Sequence, residues 1–172
     1  MQHTGKVPSN DDPAVLRFLK KWSIQEKPVR LQFADYGYDP AQCHVSAKHK
    51  ALSDGGRRVH GWALWMFDGL LLAEHHSVWE DHNGDLVDVT PPSNGGMEIV
   101  FVRDDTARII LADGDIELFT QRTADERCHW FWNGECSEYS NWPCPQNKAD
   151  LVAYCAKWNF AVLDILTDDE KG

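Results

Sequence analysis

The chain has 172 residues, of which 42% are hydrophobic, as in a globular domain with a single core. Its net charge of −10 disfavours sequence-independent binding to phosphate backbones, so we expect no nucleic acid partner. No segment is apolar enough over a sufficient length to span a bilayer, and residues 1–12 lack the apolar stretch of a secretion signal. We therefore predict a cytoplasmic protein without a membrane partner. Residues 1–172 should form a single domain whose first 12 residues are flexible, and no pattern indicates an oligomeric state.

Two helices and one strand are predicted in the first third of the chain. The spacing of Val15, Leu16, Leu19 and Trp22 indicates a helix that ends before Lys27-Pro28. Alternation over residues 29–33 indicates a short strand. A second helix should follow, with Asp39 as its N-cap, Pro40 in its first turn and Gln42 at the capping-box position, and it should end at Gly55-Gly56.

The rest of the chain is dominated by predicted strands. Residues 59–66 and 70–80 form a hairpin pattern, and a turn at Asn83-Gly84 leads to residues 86–89, which Pro91-Pro92 terminates. Further strands are expected at 98–102, 107–111 and 116–120, an irregular segment rich in Trp and Cys at 122–146, and a helix from 148 to about 166. This order predicts an α+β fold with an antiparallel sheet of five or six strands.

Cys43 is the leading candidate for a nucleophile. Five cysteines in a chain without a secretion signal favour free thiols or metal ligands over a disulfide framework. Cys43 falls in the first turn of the predicted second helix, where unpaired amides and the helix dipole favour a thiolate. The alternative is a small buried core residue, the usual role of an isolated cysteine.

His76 and Asp88 are the predicted partners of this thiol. A hairpin through Asn83-Gly84 can set their strands side by side, with His76 as general base and Asp88 holding the other imidazole nitrogen. Because neighbouring strand residues face opposite sides, only one of His75 and His76 can face Cys43. We assign His76 as the general base; a one-residue bulge in the strand would instead make His75 the histidine that faces Cys43.

Four motifs in this order resemble the transglutaminase-like superfamily of papain-like cysteine enzymes. They are Cys43, Arg57-Arg58-Val59-His60-Gly61, His76-Ser77-Val78-Trp79-Glu80 and Asp88-Val89-Thr90-Pro91, over residues 36–92. The resemblance implies a core in which the helix that bears the cysteine packs on an antiparallel sheet that bears the histidine and the aspartate. It also implies hydrolase or acyltransferase chemistry, as in peptidases, amidases and deamidases.

Other residues are candidates for binding the substrate or stabilising an oxyanion. The Cys43 backbone N–H is our first choice for the oxyanion, with the side-chain amides of Gln32 and Gln42 as alternatives. Trp79 resembles the family's aromatic residue near the histidine, and His75 lies beside the base. Trp130 and Trp132 either form a surface that contacts the substrate beside the site or anchor a loop on the sheet.

Metal binding is the weaker interpretation of these residues. Glu74, His75 and His76 with Cys43 and Asp88 have side-chain types that bind zinc, but adjacent strand histidines point apart. Four further cysteines, at spacings without a Cys-x-x-Cys pair, are either a structural zinc site with His129 or buried thiols: Cys128, Cys136, Cys144 and Cys155. His44, His49, His60 and His82 are predicted to be ordinary surface or hydrogen-bonded histidines.

The sequence thus predicts a cysteine enzyme that needs no cofactor and acts on an amide or peptide bond through a thioester. Its substrate would be a protein, a peptide or a small amide. One alternative is a non-catalytic protein-binding module on the same fold. A zinc-dependent hydrolase is the second alternative.

Overall fold

The computed structural model describes residues 5–67, 69–92, 94–112, 115–117, 121–123, 130–132, 135–137 and 145–166, with side chains described up to residue 109 and from residue 149. The helices are α1 (Pro13–Lys21), α2 (Cys43–Asp54) and α3 (Pro145–Lys157), followed by a 3₁₀ helix (Val162–Leu166). The strands are β1 (Val29–Gln32), β2 (Arg57–Phe67), β3 (Leu70–Glu80), β4 (Leu86–Val87), β5 (Glu98–Arg103), β6 (Ile110–Ala112), β7 (Asp115–Glu117), β8 (Gln121–Thr123), β9 (Trp130–Trp132) and β10 (Glu135–Ser137).

One antiparallel sheet of six strands organises the fold. Five strands follow the order β1-β5-β2-β3-β4, and β8 pairs with β3 beside this path. The long hairpin of β2 and β3 keeps one register from Arg57 opposite Glu80 to Phe67 opposite Leu70, without a bulge. The predicted α+β class and antiparallel sheet are therefore confirmed.

The sheet curls until its two edges meet, which makes it nearly a barrel. Phe33, just beyond β1, forms a parallel bridge with Asp88, just beyond β4, and the Ala34 N–H donates to the Asp88 carbonyl at 2.9 Å. The enclosed face carries apolar side chains from four strands, namely Leu31, Val59, Ala63, Trp65, Leu72, Val78, Ile99 and Phe101. Asp88 thus lies at the seam of the barrel.

The opposite face of the sheet is covered by helices α1 and α2. Asp12 caps α1 by accepting the Ala14 N–H at 2.8 Å, and the helix buries Val15 and Phe18 against Trp62 of β2. Helix α2 lies on β2 and β3 and packs Ala47 and Ala51 against a cluster that includes Trp79. This packing brings the start of α2 to the middle of the long hairpin.

The start of α2 differs from the prediction. The helix begins at Cys43, with Gln42 in the N-cap position and without a capping side chain, so the capping box from Asp39 was wrong. Ala41 takes a left-handed backbone conformation (φ +64°), which interrupts any helix begun at Pro40. Asp39 instead accepts a hydrogen bond from Lys157 Nζ at 2.5 Å. Cys43 therefore occupies the first helical position.

Other boundaries also differ. The single helix predicted from 148 to about 166 is divided into α3 and the 3₁₀ helix, since Asn159 adopts φ +62° between them. The segment 122–146 is not wholly irregular, because β9 and β10 pair there, consistent with the strand preference of aromatic residues.

Near the N-terminus, Lys6 pairs with Met66, and this pairing attaches the chain from Gly5 onward to the sheet. Among the described helices, none has the length and apolarity required to cross a bilayer.

Candidate active site

Cys43 lies at the N-terminal end of α2, against strand β3. Its side chain is only 7% exposed, and its sulfur is 3.9 Å from the His75 carbonyl oxygen. Cys43 and His76 line the same cavity, and they lie close enough for the charge of one to act on the other. As the first residue of the helix, Cys43 has a backbone N–H without an intrahelical acceptor, and the positive end of the helix dipole lies beside its sulfur.

His76 and Asp88 form a buried pair beside this thiol. His76 Nε2 lies 3.0 Å from Asp88 Oδ1, and Asp88 is completely buried. The same carboxylate oxygen accepts the Thr90 backbone N–H at 3.1 Å, which fixes the orientation of the carboxylate. Because Nε2 faces Asp88, Nδ1 is the nitrogen that remains available to the Cys43 thiol. The three side chains are therefore grouped in the order thiol, imidazole, carboxylate.

The electrostatics of this group favour a protonated imidazole. Burial alone would lower the pKa of His76, but the negative charges of Asp88 and of a Cys43 thiolate, with hydrogen bonds to both, hold it well above its usual value. A protonated His76 is a stable partner for a thiolate. The arrangement thus suits an ion pair of Cys43 and His76, oriented by Asp88.

A cavity of about 230 Å³ opens directly on the thiol and the imidazole. We call it the Cys43 cavity; besides Cys43 and His76 it is lined by Pro40, Ala41, Ala63, Trp65, Glu74, Thr90, Pro91, Pro92 and Ile99. Its lining combines apolar side chains with a few polar groups, the usual character of a small-molecule or side-chain pocket. Two of the three grouped residues can therefore meet a ligand in it.

His75 lies on the other side of the sheet. The unbroken register of β2 and β3 puts His76 opposite Gly61 and His75 opposite Trp62, so the two histidines face opposite sides. His75 Nε2 is 2.5 Å from the Ala107 carbonyl oxygen. His75 is therefore not placed to bind a substrate in the Cys43 cavity.

The remaining candidates for substrate or oxyanion binding are not brought into this cavity. The Gln32 amide donates to Glu98 at 3.0 Å on the surface, and Gln42 occupies the N-cap position of α2. The Trp79 indole donates to the Gly55 carbonyl at 2.8 Å and packs beneath α2. The side chains of Trp130 and Trp132 lie outside the described residues.

The metal-ligand sets predicted from the sequence are not assembled among the described residues. Glu74 and His76 lie on the face opposite His75, so these three cannot converge with Cys43 on one ion. Cys155 is a buried free thiol in an apolar cluster with Val45 and Ile165, and burial raises its pKa. Cys128, Cys144 and the side chain of Cys136 lie outside the described residues.

Two features of this region were not predicted. Thr90 and Glu74 line the Cys43 cavity. Glu74 could have been predicted, because the strand alternation that places His76 also places Glu74 on the same face.

On the other face of the sheet, His44, His60 and His75 form a buried group around Ser77. Burial, followed by the charges of His75, His60, Arg58 and His76, holds the pKa of His44 well below its usual value. The period-two pattern could have paired His60 with His75, but the contribution of His44 depends on how α2 packs.

No protein-family model, curated protein or solved structure matches this chain. The function must therefore be inferred from the geometry of the site.

Proposed function

We propose that the protein is a cysteine hydrolase or acyltransferase that acts on an amide or peptide bond, on a transglutaminase-like core. The observation that carries the proposal is the grouping of the Cys43 thiol with the hydrogen-bonded pair of His76 and Asp88, beside a cavity lined by Cys43 and His76. A nucleophile, a base and a group that orients the base are the parts that covalent catalysis requires.

Each residue has a defined part in the proposed reaction. The Cys43 thiolate forms a bond to the carbonyl carbon of the substrate, and the C–N bond breaks as the His76 imidazolium gives its proton to the leaving amine. Water then attacks the thioester and gives a proton to His76, and the C–S bond breaks to restore the thiolate. An amine in place of water would give acyl transfer. Asp88 stabilises the imidazolium throughout.

The oxyanion is assigned to the backbone at the start of α2. The Cys43 N–H belongs to the first helical residue, so it has no intrahelical acceptor and points out of the helix end. A main-chain donor at the positive end of a helix stabilises the charge that develops on the carbonyl oxygen. The Gln42 side chain is not among the groups that line the Cys43 cavity, so the oxyanion is assigned to the main chain alone.

The size of the Cys43 cavity limits the substrate group that it can take. About 230 Å³, with Trp65, Ile99 and Pro92 among its walls, suits one side chain or a small acyl group. The proposal therefore covers a glutamine or asparagine side-chain amide, a peptide end or a small amide. The proposed setting is the cytoplasm, where Cys43 and Cys155 would stay reduced.

Alkylation of Cys43 tests the activated nucleophile. The full-length protein is treated with iodoacetamide at pH 7, and peptide mapping follows each cysteine over time. We expect Cys43 to react at least about tenfold faster than a model thiol such as glutathione. Cys155→Ser is the matched control, because it removes the other described free thiol and should leave this rate unchanged.

The covalent step is tested by mass spectrometry. The protein is mixed with a panel of peptides and small amides, quenched in acid and examined for an adduct on Cys43 whose mass equals the acyl group. Cys43→Ser should form no thioester. A Cys43 that reacts no faster than glutathione and forms no adduct would reject the proposal in favour of a non-catalytic binding module.

A further inference from the structure

Three imidazoles meet on the face of the sheet opposite the Cys43 cavity. His44 comes from α2, His60 from β2 and His75 from β3, and all three are buried. One nitrogen of each lies within 4.8 Å of the others. The His44 and His75 rings are 4.4 Å apart, and His60 lies about 6 Å from both rings, at 5.9 and 6.0 Å. We call this group the tri-histidine cluster.

One nitrogen of each imidazole in the cluster is in a hydrogen bond that orients the ring. Ser77 Oγ lies 2.6 Å from His44 Nδ1 and 3.0 Å from His60 Nδ1, and the Ala107 carbonyl oxygen lies 2.5 Å from His75 Nε2. Histidines that bind metals almost always donate their second N–H to such an oxygen, which fixes the tautomer and the ring orientation. In a metal complex the ligand atoms would then be Nε2 of His44, Nε2 of His60 and Nδ1 of His75.

The charge of the cluster suits transition metals that bind neutral imidazole. Three imidazoles packed together below the surface cannot all hold a proton, since each charge would repel the others. Arg58 donates to the His44 carbonyl at 3.1 Å and adds a further positive charge. No carboxylate belongs to the cluster, so calcium and magnesium, which require oxygen ligands, are not expected.

We propose that the tri-histidine cluster binds one divalent transition metal ion, of which zinc is the first candidate. Zinc binds imidazole nitrogens at about 2.0–2.1 Å, so tetrahedral ligation requires the three nitrogens to approach to roughly 3.4 Å from one another. One nitrogen of each imidazole lies within 4.8 Å of the other two, so the rings must turn and draw closer as the ion binds. The inference does not depend on the proposed function.

A second cavity borders the cluster at His60. This arginine cavity, of about 230 Å³, is lined by His60 and by Arg57, Arg58, Val59, Arg103, Asp105 and Arg108. An ion can enter past His60, and a water molecule or a small anion can supply the fourth ligand from the cavity. The arginines repel a free cation, and they favour an anionic fourth ligand once the ion is bound.

A bound ion would stabilise the candidate active site from the opposite face of the sheet. His44 follows Cys43 and His75 precedes His76, so one ion would join α2 to both strands of the long hairpin. The helix that carries the thiol would then be held against the strand that carries the imidazole. The role assigned to the ion is therefore positioning, without contact with a substrate.

Metal binding by the full-length protein tests the inference. The protein is freed of metals with a chelator, and zinc binding is measured by calorimetry; cobalt(II), which gives visible bands of tetrahedral intensity, is the spectroscopic probe. We expect one ion per chain at the cluster. His60→Ala should weaken binding by at least about 100-fold, and Ser77→Ala by about 10–100-fold, as for other groups that orient metal ligands. His82→Asn, at an exposed histidine outside the cluster, is the matched control and should bind as before.

Several outcomes would overturn the inference. These are the absence of zinc binding, binding that His60→Ala leaves intact, or a cobalt spectrum without tetrahedral bands. If His60→Ala does not fold, Ser77→Ala and thermal unfolding of the intact chain decide instead. Zinc at 100 times its dissociation constant should stabilise the intact chain by about 2.7 kcal/mol, and a melting temperature that zinc leaves unchanged would count against the site.

Discussion

His76 Nε2 lies 3.0 Å from Oδ1 of Asp88, a carboxylate that no solvent reaches and that sits at the seam of the nearly closed sheet. The negative charge of Asp88 is a main reason that the pKa of His76 stands above its usual value. The closure of the sheet thus places Asp88 where its charge favours protonation of the His76 imidazole. The first prediction follows from this relationship.

Substitution of Asp88 should slow the alkylation of Cys43 in a graded way. Asp88→Asn retains an acceptor for the His76 N–H but removes the charge, so less imidazolium should persist beside Cys43 at pH 7. We expect a rate about 10–100-fold lower, and a larger loss for Asp88→Ala, which also removes the hydrogen bond. The measurement is the iodoacetamide rate at Cys43. Asp85→Asn, an exposed carboxylate in the preceding turn, is the control, and an unchanged rate in Asp88→Ala would contradict the pairing.

His76 and His75 should differ in their effect on the thiol. His76→Gln removes the imidazole that contacts Cys43, whereas His75→Gln changes a side chain on the opposite face. We expect the loss of Cys43 alkylation to be at least about tenfold greater for His76→Gln, in line with the usual contribution of a general base. Both variants are compared by circular dichroism first. A greater loss in His75→Gln would mean that the base was assigned to the wrong histidine.

The grouping of His76 with Asp88 could be predicted because it depends on local rules. Strand alternation and a short turn at Asn83-Gly84 decide which side chains share a face, and the long hairpin contains no bulge to exchange them. The separation of His75 from His76 follows from the same rule. Both predictions needed only the register of neighbouring strands.

Features that depend on distant parts of the chain could not be predicted. The left-handed conformation of Ala41, which delays α2 until Cys43, is not a preference of alanine and is imposed by the surrounding structure. The meeting of Phe33 with Asp88 joins segments far apart in sequence. The tri-histidine cluster required the docking of α2 on the sheet. Each of these features depends on tertiary packing, which local sequence patterns do not predict.

Gly61 should be essential for the fold of the sheet. A Cβ at this position would lie 2.0 Å from the Val102 carbonyl oxygen and 2.6 Å from the Phe101 ring, both held in the neighbouring strand. We expect Gly61→Ala to lower the free energy of unfolding by about 3 kcal/mol or more. Gly84→Ala is the comparison: its Cβ would meet no atom, but its φ of +84° makes alanine cost about 1 kcal/mol. Urea unfolding measures both, and equal losses would contradict the close approach at Gly61.

Tyr38 should make stability fall in alkaline solution. Its hydroxyl lies 2.8 Å from His49 Nδ1, and burial, with the charges of Asp54 and Tyr154, raises its pKa to about 12. An unfolded tyrosine titrates near pH 10, so between about pH 10 and 12 the unfolded state loses its proton first and is favoured. The stability that this group contributes is present below pH 10 and is lost as the pH rises through this window. Tyr38→Phe should make the free energy of unfolding depend less on pH there, while the exposed Tyr36→Phe should not.

Two threonines should respond to valine substitution with opposite signs. Thr90 Oγ1 is buried and has no hydrogen-bond partner among the described residues, whereas Thr106 Oγ1 donates to Asp104 at 2.6 Å. Valine has nearly the shape of threonine, so Thr90→Val removes an unsatisfied hydroxyl and should leave the free energy of unfolding equal or higher by up to about 1–2 kcal/mol. Thr106→Val loses a charge-assisted hydrogen bond and should lower it by about 1–2 kcal/mol.

The same pair of variants separates stability from the candidate site. Thr90 holds Asp88 through its backbone N–H, which valine retains, so Cys43 alkylation in Thr90→Val should proceed at the original rate. Thr90 is one of the residues that line the Cys43 cavity, but its hydroxyl oxygen is buried and unpaired among the described residues. Urea unfolding and iodoacetamide kinetics test the effects on stability and on the thiol separately. A clear loss of stability in Thr90→Val would mean that the hydroxyl is hydrogen-bonded in the folded protein, contrary to its unsatisfied state.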